Sequence, residues 1–284
     1  MNRIIHLHLV SDSTGETIEK IADACLAQFE NIEVHTYTHT LVLRPARFDT
    51  LLKSIENNPG PVLYTIVDRT LARKLETGCQ NLGVSCIDAL FSVLTQLAID
   101  IGQSIRGLPG QQHQLDDSYF HRIEAMQFTL AHDDGQGIDR LREAEVVLVG
   151  VSRTSKTPTS MYLANHRGMR AANVPFVPGV ALPDLLMSGD APFVVGLTTS
   201  PERLVQIRRN RMVALGEQSR TDYIDPEQVR REILEARRLF TRMRWPVIDV
   251  SRRSIEETAA EITNLYNTWK ESRTVTAAGS ESPT

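Results

Sequence analysis

The stretch EVVLVGVSRTSKTPTS, residues 145–160, decides the fold of the second half of the chain. It opens with an apolar run that is typical of a strand buried on both faces. A polar turn follows, and the pattern after it predicts a helix over residues 159–166. A strand, a loop and a helix in this order form the unit from which parallel α/β sheets are built.

The same alternation of strand and helix patterns runs along the rest of the chain. IIHLHLV at 4–10, VLYTIV at 62–67 and the apolar residues of 174–180 predict further strands. We therefore expect an α/β protein of two α/β domains with mostly parallel sheets, the C-terminal one P-loop kinase-like. We expect an N-terminal α/β domain over residues 1–105 and a connecting segment over residues 106–140. A C-terminal P-loop α/β domain should follow over residues 141–273, and a disordered tail over residues 274–284.

Composition narrows the class of protein. The chain has 284 residues, 41% of them hydrophobic and 23% charged, with a net charge of −4. This balance is typical of a globular protein with a core, and it argues against nucleic acid or an anionic membrane as the main partner. The three cysteines lack CxxC spacing, and neither a signal sequence nor a run of about 20 apolar residues is found. We expect reduced thiols and a cytoplasmic protein.

The turn GVSRTSKT reads G-x-x-x-x-S-K-T and differs at one position from the nucleotide-binding loop G-x-x-x-x-G-K-[ST]. In that loop backbone N–H groups surround a phosphate, the lysine adds charge and the next hydroxyl ligates Mg²⁺, here through Thr157. Serine resists backbone angles that glycine tolerates, so we expect the loop to differ slightly in shape at Ser155. The alternative is a polar turn without a ligand. The predicted nucleotide- and phosphate-binding residues are Gly150, Val151, Ser152, Arg153, Thr154, Ser155, Lys156 and Thr157.

SDSTGET at residues 11–17 also lies between a predicted strand and a predicted helix. Its hydroxyls, its glycine and the helix N-terminus could hold a second anion, and Asp12 could act as a base or a metal ligand. The alternative is a helix cap made by Ser13 or Thr14. The residues of this possible second phosphate site are Ser11, Ser13, Thr14 and Gly15.

Two further groups are candidates for phosphoryl transfer. Asp133 and Asp134 in HDDG could hold Mg²⁺ or accept a hydroxyl proton, although acidic turns are commonly just solvated. Arg203, Arg208 and Arg211 could neutralise the transferred phosphoryl, although they could equally form a solvated basic face. The sequence leaves both alternatives open.

Other chemistries are not favoured. The pairs His6/His8 and His35/His39 have no cysteine or carboxylate at a metal-ligand spacing, which argues against zinc. Neither G-x-S-x-G nor HExxH occurs, which argues against hydrolases and metalloproteases that use those motifs.

Seven motifs follow one another along the chain, up to about residue 270. They are the SDS/GET start, LDxxYFxRIEAMxF from Leu115, HDDG, GVSRTSKTPTSMYLAN, RAANVPFVPGV, GLTTSPERLVQIRRNRM and YIDPEQVRREI. Together they resemble one family, the regulatory proteins of pyruvate, phosphate dikinase and of phosphoenolpyruvate synthase. Many members of that family have glycine at the position of Ser155.

The resemblance implies a bifunctional enzyme. One activity would use ADP to phosphorylate a threonine of the dikinase near its phosphorylated histidine and so inactivate it. The other would use inorganic phosphate to remove that group, releasing pyrophosphate. Mg²⁺ is the expected metal, and the SDSTGET start favours the dikinase over phosphoenolpyruvate synthase as partner. The expected catalytic residues are Lys156 and a base among Asp12, Asp133 and Asp134.

Two other functions remain as alternatives. A P-loop kinase of a small hydroxylated metabolite would use ATP and need no protein acceptor. A nucleotide-dependent switch protein would need a guanine-selecting NKxD motif, which the sequence lacks. The oligomeric state stays open, with a homodimer as a hypothesis.

Overall fold

The chain forms two compact units, residues 1–114 and 115–284. The computed structural model describes residues 3–43, 45–111, 117–215 and 222–279. Each unit contains a four-stranded sheet in which every paired strand is parallel. The expected α/β class with two mostly parallel sheets is therefore confirmed.

In the first unit, helices cover both faces of a sheet with the strand order β2-β1-β3-β4. Leu51 and Leu75, from the second and third helices, pack on one face, and Ile18, from the first helix, packs on the other. The elements are β1 Arg3–Ser11, α1 Glu16–Leu26, β2 Ile32–His39, α2 Pro45–Asn57, β3 Val62–Thr65, α3 Arg69–Asn81, β4 Cys86–Asp88 and α4 Phe91–Ile101.

The second unit repeats this arrangement with the strand order β6-β5-β7-β8. Three short 3-10 helices, 138–143, 184–187 and 222–224, lie between its longer elements. The elements are α5 Asp117–Ala131, β5 Val146–Gly150, α6 Lys156–Arg167, β6 Ala171–Pro175, β7 Phe193–Thr198, α7 Pro201–Leu215, α8 Pro226–Met243, β8 Val247–Asp249 and α9 Ile255–Gly279.

Strand β5 lies at the centre of the second core. All five of its residues are buried, as the apolar run predicts. Val147 and Val149 pack into the cluster that contains Phe240 of α8, whereas Val146 and Leu148 pack into the cluster on the opposite face. Burial on both faces explains why this strand is a continuous apolar run rather than an alternating one.

Local capping signals set several helix starts. The pattern S-I-E-E at 254–257 predicts a capping box at the start of α9. The structure confirms it, because Ser254 and Glu257 exchange hydrogen bonds between side chain and backbone. Asp225 accepts a hydrogen bond from the backbone N–H of Gln228 at 2.7 Å and caps α8. Within the described residues, no helix combines the length and apolar character needed to cross a bilayer.

The strand order creates one crevice in each sheet. In the order 2-1-3-4, the second strand lies on one side of the first strand and the third strand lies on its other side. Loops at the carboxyl ends of these two strands therefore diverge, and ligands of open α/β sheets bind there. In the second unit this position is the end of β5, where Gly150 pairs with Leu197 of β7. In the first unit it is the end of β1, where Ser11 pairs with Thr65 of β3.

Three boundaries differ from the sequence-based expectation. The expected connecting segment 106–140 contains helix α5, and Phe128 of that helix is buried in the core of the second unit. Helix α9 continues through the first part of the expected disordered tail, to Gly279, while residues 280–284 lie outside the described part. Strand β6 ends at Pro175 rather than continuing to 180, because Pro178 and the left-handed Gly179 interrupt extended pairing.

Candidate functional site

The loop between β5 and α6 lies in the crevice of the second sheet. It leaves the strand at Gly150 and enters the helix at Lys156. Two of its residues are left-handed, Arg153 with φ 75° and Ser155 with φ 59°. Ser155 thus adopts the kind of backbone angle that glycine takes without strain, and the loop turns into α6 despite the substitution.

Gly150 has no room for a side chain. A Cβ atom at this position would lie 2.6 Å from the carbonyl oxygen of Leu197 and 2.7 Å from the Thr154 hydroxyl oxygen. The loop therefore folds back tightly over the end of the neighbouring strand. The Thr154 hydroxyl donates to the carbonyl oxygen of Val151 at 2.9 Å and closes the turn.

Lys156 is the main cation of the loop and is only 6% exposed. Its ammonium group donates to the carbonyl oxygen of Val151 at 3.1 Å. Burial lowers the pKa of Lys156 to about 8, against the opposing effect of the nearby Asp134 and Asp133 carboxylates. The lysine therefore carries its charge at neutral pH, in an environment where that charge is poorly screened.

Asp133 is fixed against the loop by two neighbours. The Thr157 hydroxyl donates to its Oδ1 at 2.9 Å, and the Asn173 amide donates to the same oxygen at 2.5 Å. The Asn173 amide also donates to the Thr157 hydroxyl oxygen at 2.9 Å. A carboxylate beside the loop hydroxyl offers the hard oxygen ligands that Mg²⁺ prefers.

Asn173 was not among the residues that the sequence indicated. It lies on β6, is 2% exposed, and its Oδ1 has no hydrogen-bond partner among the described atoms. Its backbone N–H donates to the carbonyl of His132, and its carbonyl accepts from the N–H of Gly135. Asn173 therefore holds the HDDG turn beside the loop. The available signal was a single amide in an otherwise apolar strand, two residues before the strand ends.

Asp134 is the exposed carboxylate of this turn. It adopts a left-handed conformation with φ 52° and makes no hydrogen bond or ion pair with the described residues. A cavity of about 420 Å³ is lined by Asp134, Asp133, Arg153 and Lys156 together. The structure thus brings two carboxylates and two cations of the predicted site to one crevice.

The three arginines predicted on α7 are not among the residues that line this cavity. Ile207 is the described α7 residue that lines the cavity, while Arg203 and Arg211 are exposed. Arg208 is 1% exposed and forms an ion pair with Glu232 at 2.6 Å. Arg153 is therefore the arginine that the structure brings to the crevice.

The first unit has a corresponding loop at the end of β1. Ser11, Asp12, Ser13 and Gly15 line a cavity of about 400 Å³. The N-cap position of α1 is Gly15, with φ 90°, so neither Ser13 nor Thr14 occupies it. Asp12 is 3% exposed, its Oδ2 accepts from the N–H of Val67 at 2.8 Å, and burial raises its pKa.

Of the histidines on β1 and β2, His8 and His39 pair with each other, whereas His35 lies 3.2 Å from a carboxylate oxygen of Glu33. His8 is fully buried, and its Nδ1 lies 3.2 Å from Nε2 of His39. His6 lies on the same face and contacts Tyr37. In the part of the chain that the structure describes, His, Cys, Asp and Glu side chains form no group of three or more that could hold a metal ion.

Comparisons with known proteins place these features in a family. A family model described as kinase/pyrophosphorylase matches residues 7–263. A protein of Erythrobacter litoralis named as a pyruvate, phosphate dikinase regulatory protein is 52% identical over 93% of this chain and 94% of its own. Relatives with the same name from Paramagnetospirillum magneticum and Rhodospirillum rubrum are 49% and 48% identical, covering 94% and 93% of this chain and 86% and 95% of theirs.

A solved periplasmic solute-binding protein from Actinobacillus succinogenes aligns with a TM-score of 0.23 and 10% identity, covering 93% of this chain and 92% of its own. These values are too low to support an argument about fold or ligand. The match of the family model over residues 7–263 and the relatives of about 50% identity are decisive instead. The chain belongs to the kinase/pyrophosphorylase family.

Proposed function

We propose that the chain is a bifunctional regulator of pyruvate, phosphate dikinase that transfers a phosphoryl group in both directions. With ADP it phosphorylates a threonine of the dikinase, and with inorganic phosphate it removes that group and releases pyrophosphate. The observation that carries the proposal is the exposed Asp134 carboxylate in one crevice with the buried Lys156. The name of the curated relatives supports the choice of protein acceptor.

Each residue of the crevice has a proposed role in the forward reaction. The N–H groups of the loop, Lys156 and Arg153 hold the β-phosphoryl of ADP and stabilise its charge. Asp134 accepts the proton of the threonine hydroxyl as its oxygen attacks the β-phosphorus. The bond between the β-phosphorus and the bridging oxygen breaks, and AMP leaves with that oxygen.

The reverse reaction uses the same groups. An oxygen of inorganic phosphate, held by the loop, attacks the phosphorus of the phosphothreonine. The bond to the threonine oxygen breaks, protonated Asp134 gives its proton to that oxygen and takes one from the attacking hydrogen phosphate, and the products are threonine and pyrophosphate. Phosphate takes the place of AMP in this second reaction, and Asp134 acts as the acid where it acted as the base in the first.

Asp133 and the Thr157 hydroxyl fit a site for Mg²⁺. Both are oxygen ligands, and the unpartnered Oδ1 of Asn173 lies in the same group. The metal would neutralise phosphate charge when bound. Because Asp133 is occupied by these neighbours, we assign it to positioning and metal binding and Asp134 to proton transfer.

The loop of the first unit is proposed as a second anion site without a part in transfer. Ser11, Ser13, Thr14 and Gly15 lie at the crevice of their own sheet, beside a cavity of suitable size. Asp12 is buried at the end of the same strand and would repel a transferring phosphoryl if ionised.

The decisive experiment uses ADP labelled at the β-phosphate. Purified dikinase is loaded on its histidine with phosphoenolpyruvate and incubated with the protein and labelled ADP. We expect label on a dikinase threonine and formation of AMP, with no transfer from γ-labelled ATP. Adding unlabelled phosphate afterwards should convert the label to pyrophosphate.

Three variants separate the proposed roles. Lys156→Ala should reduce transfer by about 10²–10³-fold and Asp134→Asn by about 10²–10⁴-fold. Asp133→Asn should mainly raise the Mg²⁺ concentration required. Label on phosphoenolpyruvate synthase but not on the dikinase would assign the alternative partner. Consumption of ATP with a small hydroxylated acceptor, without transfer from ADP, would reject the proposal.

A further inference from the structure

Arg208 of α7 is the most deeply buried cation near the loop, and its contacts point toward the loop backbone rather than the crevice. The side chain is 1% exposed. Its Nη2 donates to Glu232 of α8 at 2.6 Å, and its Nη1 donates to the carbonyl oxygen of Tyr223 at 3.0 Å. The guanidinium carbon lies 4.4 Å from the centre of the Tyr223 ring.

These contacts meet at Ser152 of the loop. Nη2 of Arg208 reaches the carbonyl oxygen of Ser152 at 3.4 Å. The hydroxyl groups of Tyr223 and Ser152 lie 3.2 Å apart. Ser152 is therefore held at its backbone by the arginine and at its side chain by the tyrosine that the arginine positions.

The residue after Ser152 explains why such a restraint is useful. Arg153 is left-handed, with φ 75°, and non-glycine residues leave this conformation unless their surroundings enforce it. Fixing the Ser152 carbonyl fixes the peptide plane that leads into Arg153. The direction of the Arg153 N–H, one of the groups available to a phosphate, is then set before the ligand arrives.

A role in stability alone explains these contacts less well. Burying an ion pair gains little, because the desolvation of both charges offsets their attraction. The Nε of Arg208 is buried without a hydrogen-bond partner among the described atoms. A buried guanidinium with an unsatisfied N–H beside the loop is better explained if Arg208 fixes the conformation of that loop.

We propose that Arg208, through Tyr223, is a positioning residue that holds the phosphate-binding loop in its binding conformation. Glu232 fixes the guanidinium, and Tyr223 passes the restraint to Ser152. Arg208 does not contact the transferred phosphoryl. This inference rests on the proposed function, since it assigns the restraint to the loop that would bind ADP and phosphate.

The test separates ADP affinity from turnover in four full-length variants. Tyr223→Phe keeps the ring under the guanidinium and removes only the hydroxyl contact, so we expect a Kd for ADP about 3–10-fold higher. Arg208→Lys and Glu232→Gln should raise it more than about tenfold. The turnover rate at saturating ADP should stay within about threefold of the original. The matched control is Arg209→Lys, an exposed arginine on the same helix, which should leave both values unchanged.

A second measurement does not depend on the enzymatic activity. Hydrogen exchange of the peptide that covers residues 150–157 should be faster in Tyr223→Phe than in the original chain. Failure of the original chain to bind ADP would reject the proposed function, and this exchange experiment would still decide the role of Arg208. Unchanged exchange and unchanged ADP affinity in Tyr223→Phe would overturn the inference. A turnover rate reduced by 10³-fold with unchanged affinity in Arg208→Lys would instead assign it to the transition state.

Discussion

Single residues of the loop combine backbone strain with close contact. Arg153 and Ser155 both hold left-handed angles, which cost a non-glycine residue about 1–2 kcal/mol each. Such strain persists only where surrounding contacts enforce it. The Thr154 and Lys156 side chains both donate to the carbonyl of Val151 and supply part of that enforcement. The loop is therefore preorganised at a cost, as expected for a site that binds by backbone N–H groups.

Gly150→Ala tests the closeness of the loop to the next strand. The new methyl would lie 2.6 Å from the Leu197 carbonyl oxygen, so we expect a loss of about 1–3 kcal/mol in unfolding free energy and weaker ADP binding. Urea unfolding followed by tryptophan fluorescence measures this, because Trp245 and Trp269 both lie in the second unit. Gly189→Ala is the matched control, since no atom lies within 4 Å of its added Cβ. Equal stabilities of the two variants would contradict the expectation.

The lowered pKa of Lys156 predicts that ADP binding weakens at alkaline pH. Its pKa is lowered to about 8 by burial, so it is charged below pH 8 and loses its charge above it. The Kd for ADP should be constant from pH 7 to 7.5 and then rise by up to about tenfold per pH unit. ADP itself has completed its ionisation by then, because the second pKa of a phosphate is about 6. Calorimetric titration from pH 7 to 9.5 measures the trend.

Lys156→Arg is the control for this titration. Arginine stays charged over the whole range, so the variant should bind ADP with a Kd that does not change with pH. A Kd that is flat to pH 9.5 in the original chain would show that Lys156 does not titrate against the ligand.

At the scale of elements, the first sheet carries a pH-sensitive contact between β1 and β2. His8 donates through Nε2 to the carbonyl of Asn58 at 2.8 Å, so its Nδ1 is free to accept from His39. Burial lowers the pKa of both rings, that of His39 to about 4. Protonating both would place two N–H groups against each other.

The sign of the effect on stability follows from these shifts. The unfolded chain binds protons near pH 6.5, before the folded chain does, so stability is complete above pH 6.5 and falls as the pH drops toward 4. We expect a loss of about 1–2 kcal/mol between pH 7 and pH 5, after allowing for partial exposure. Urea unfolding followed by circular dichroism measures it, with fluorescence recording the second unit separately.

A variant isolates the contribution of His39. His39→Gln keeps a donor for His8 and does not titrate, so the acid loss should shrink by at least half. His166→Gln, which changes an exposed histidine on α6, should leave the loss unchanged. An identical pH dependence in His39→Gln would exclude the β1–β2 pair as its source.

The sequence predicted elements well where the signal was local. The apolar run at 145–150 and the capping box at Ser254 depend on neighbouring residues, and both are found as predicted. Residues 106–140, which contain helix α5, were expected to form a connecting segment. The place of α5 in the second unit depends on Phe128 packing against strands that come later in the chain.

The residues of the candidate site were also predicted where the signal was local in the sequence. The loop at 150–157 and the HDDG turn were recognisable as motifs, and the structure places them together. Asn173 was missed because its importance depends on two partners, Asp133 and Thr157, that are 40 and 16 residues away. The position of Arg208 relative to the crevice could not be predicted from the sequence either, because a buried and an exposed arginine on one helix differ only in the residues that pack against them.

On the scale of the whole molecule, two sheets share one strand order, and each presents a loop at its crevice. Their side chains differ. The second loop contains a buried lysine and faces two carboxylates, whereas the first has a buried carboxylate, Asp12, at the end of its strand. Similar architecture therefore does not imply similar chemistry, and function has to be assigned to each loop from its own residues.

This difference predicts that phosphoryl transfer depends on one loop. Lys156→Ala should reduce transfer from β-labelled ADP to the dikinase by about 10²–10³-fold, while Ser13→Ala should keep the turnover rate within a few-fold, because Ser13 lines the cavity of the first unit. The measurement is the rate of labelled threonine formation at saturating ADP. Hydrogen exchange with and without ADP provides a second readout, with protection expected at residues 150–157 in Ser13→Ala. If Ser13→Ala lost transfer while Lys156→Ala kept it, the chemistry would have to be assigned to the first unit.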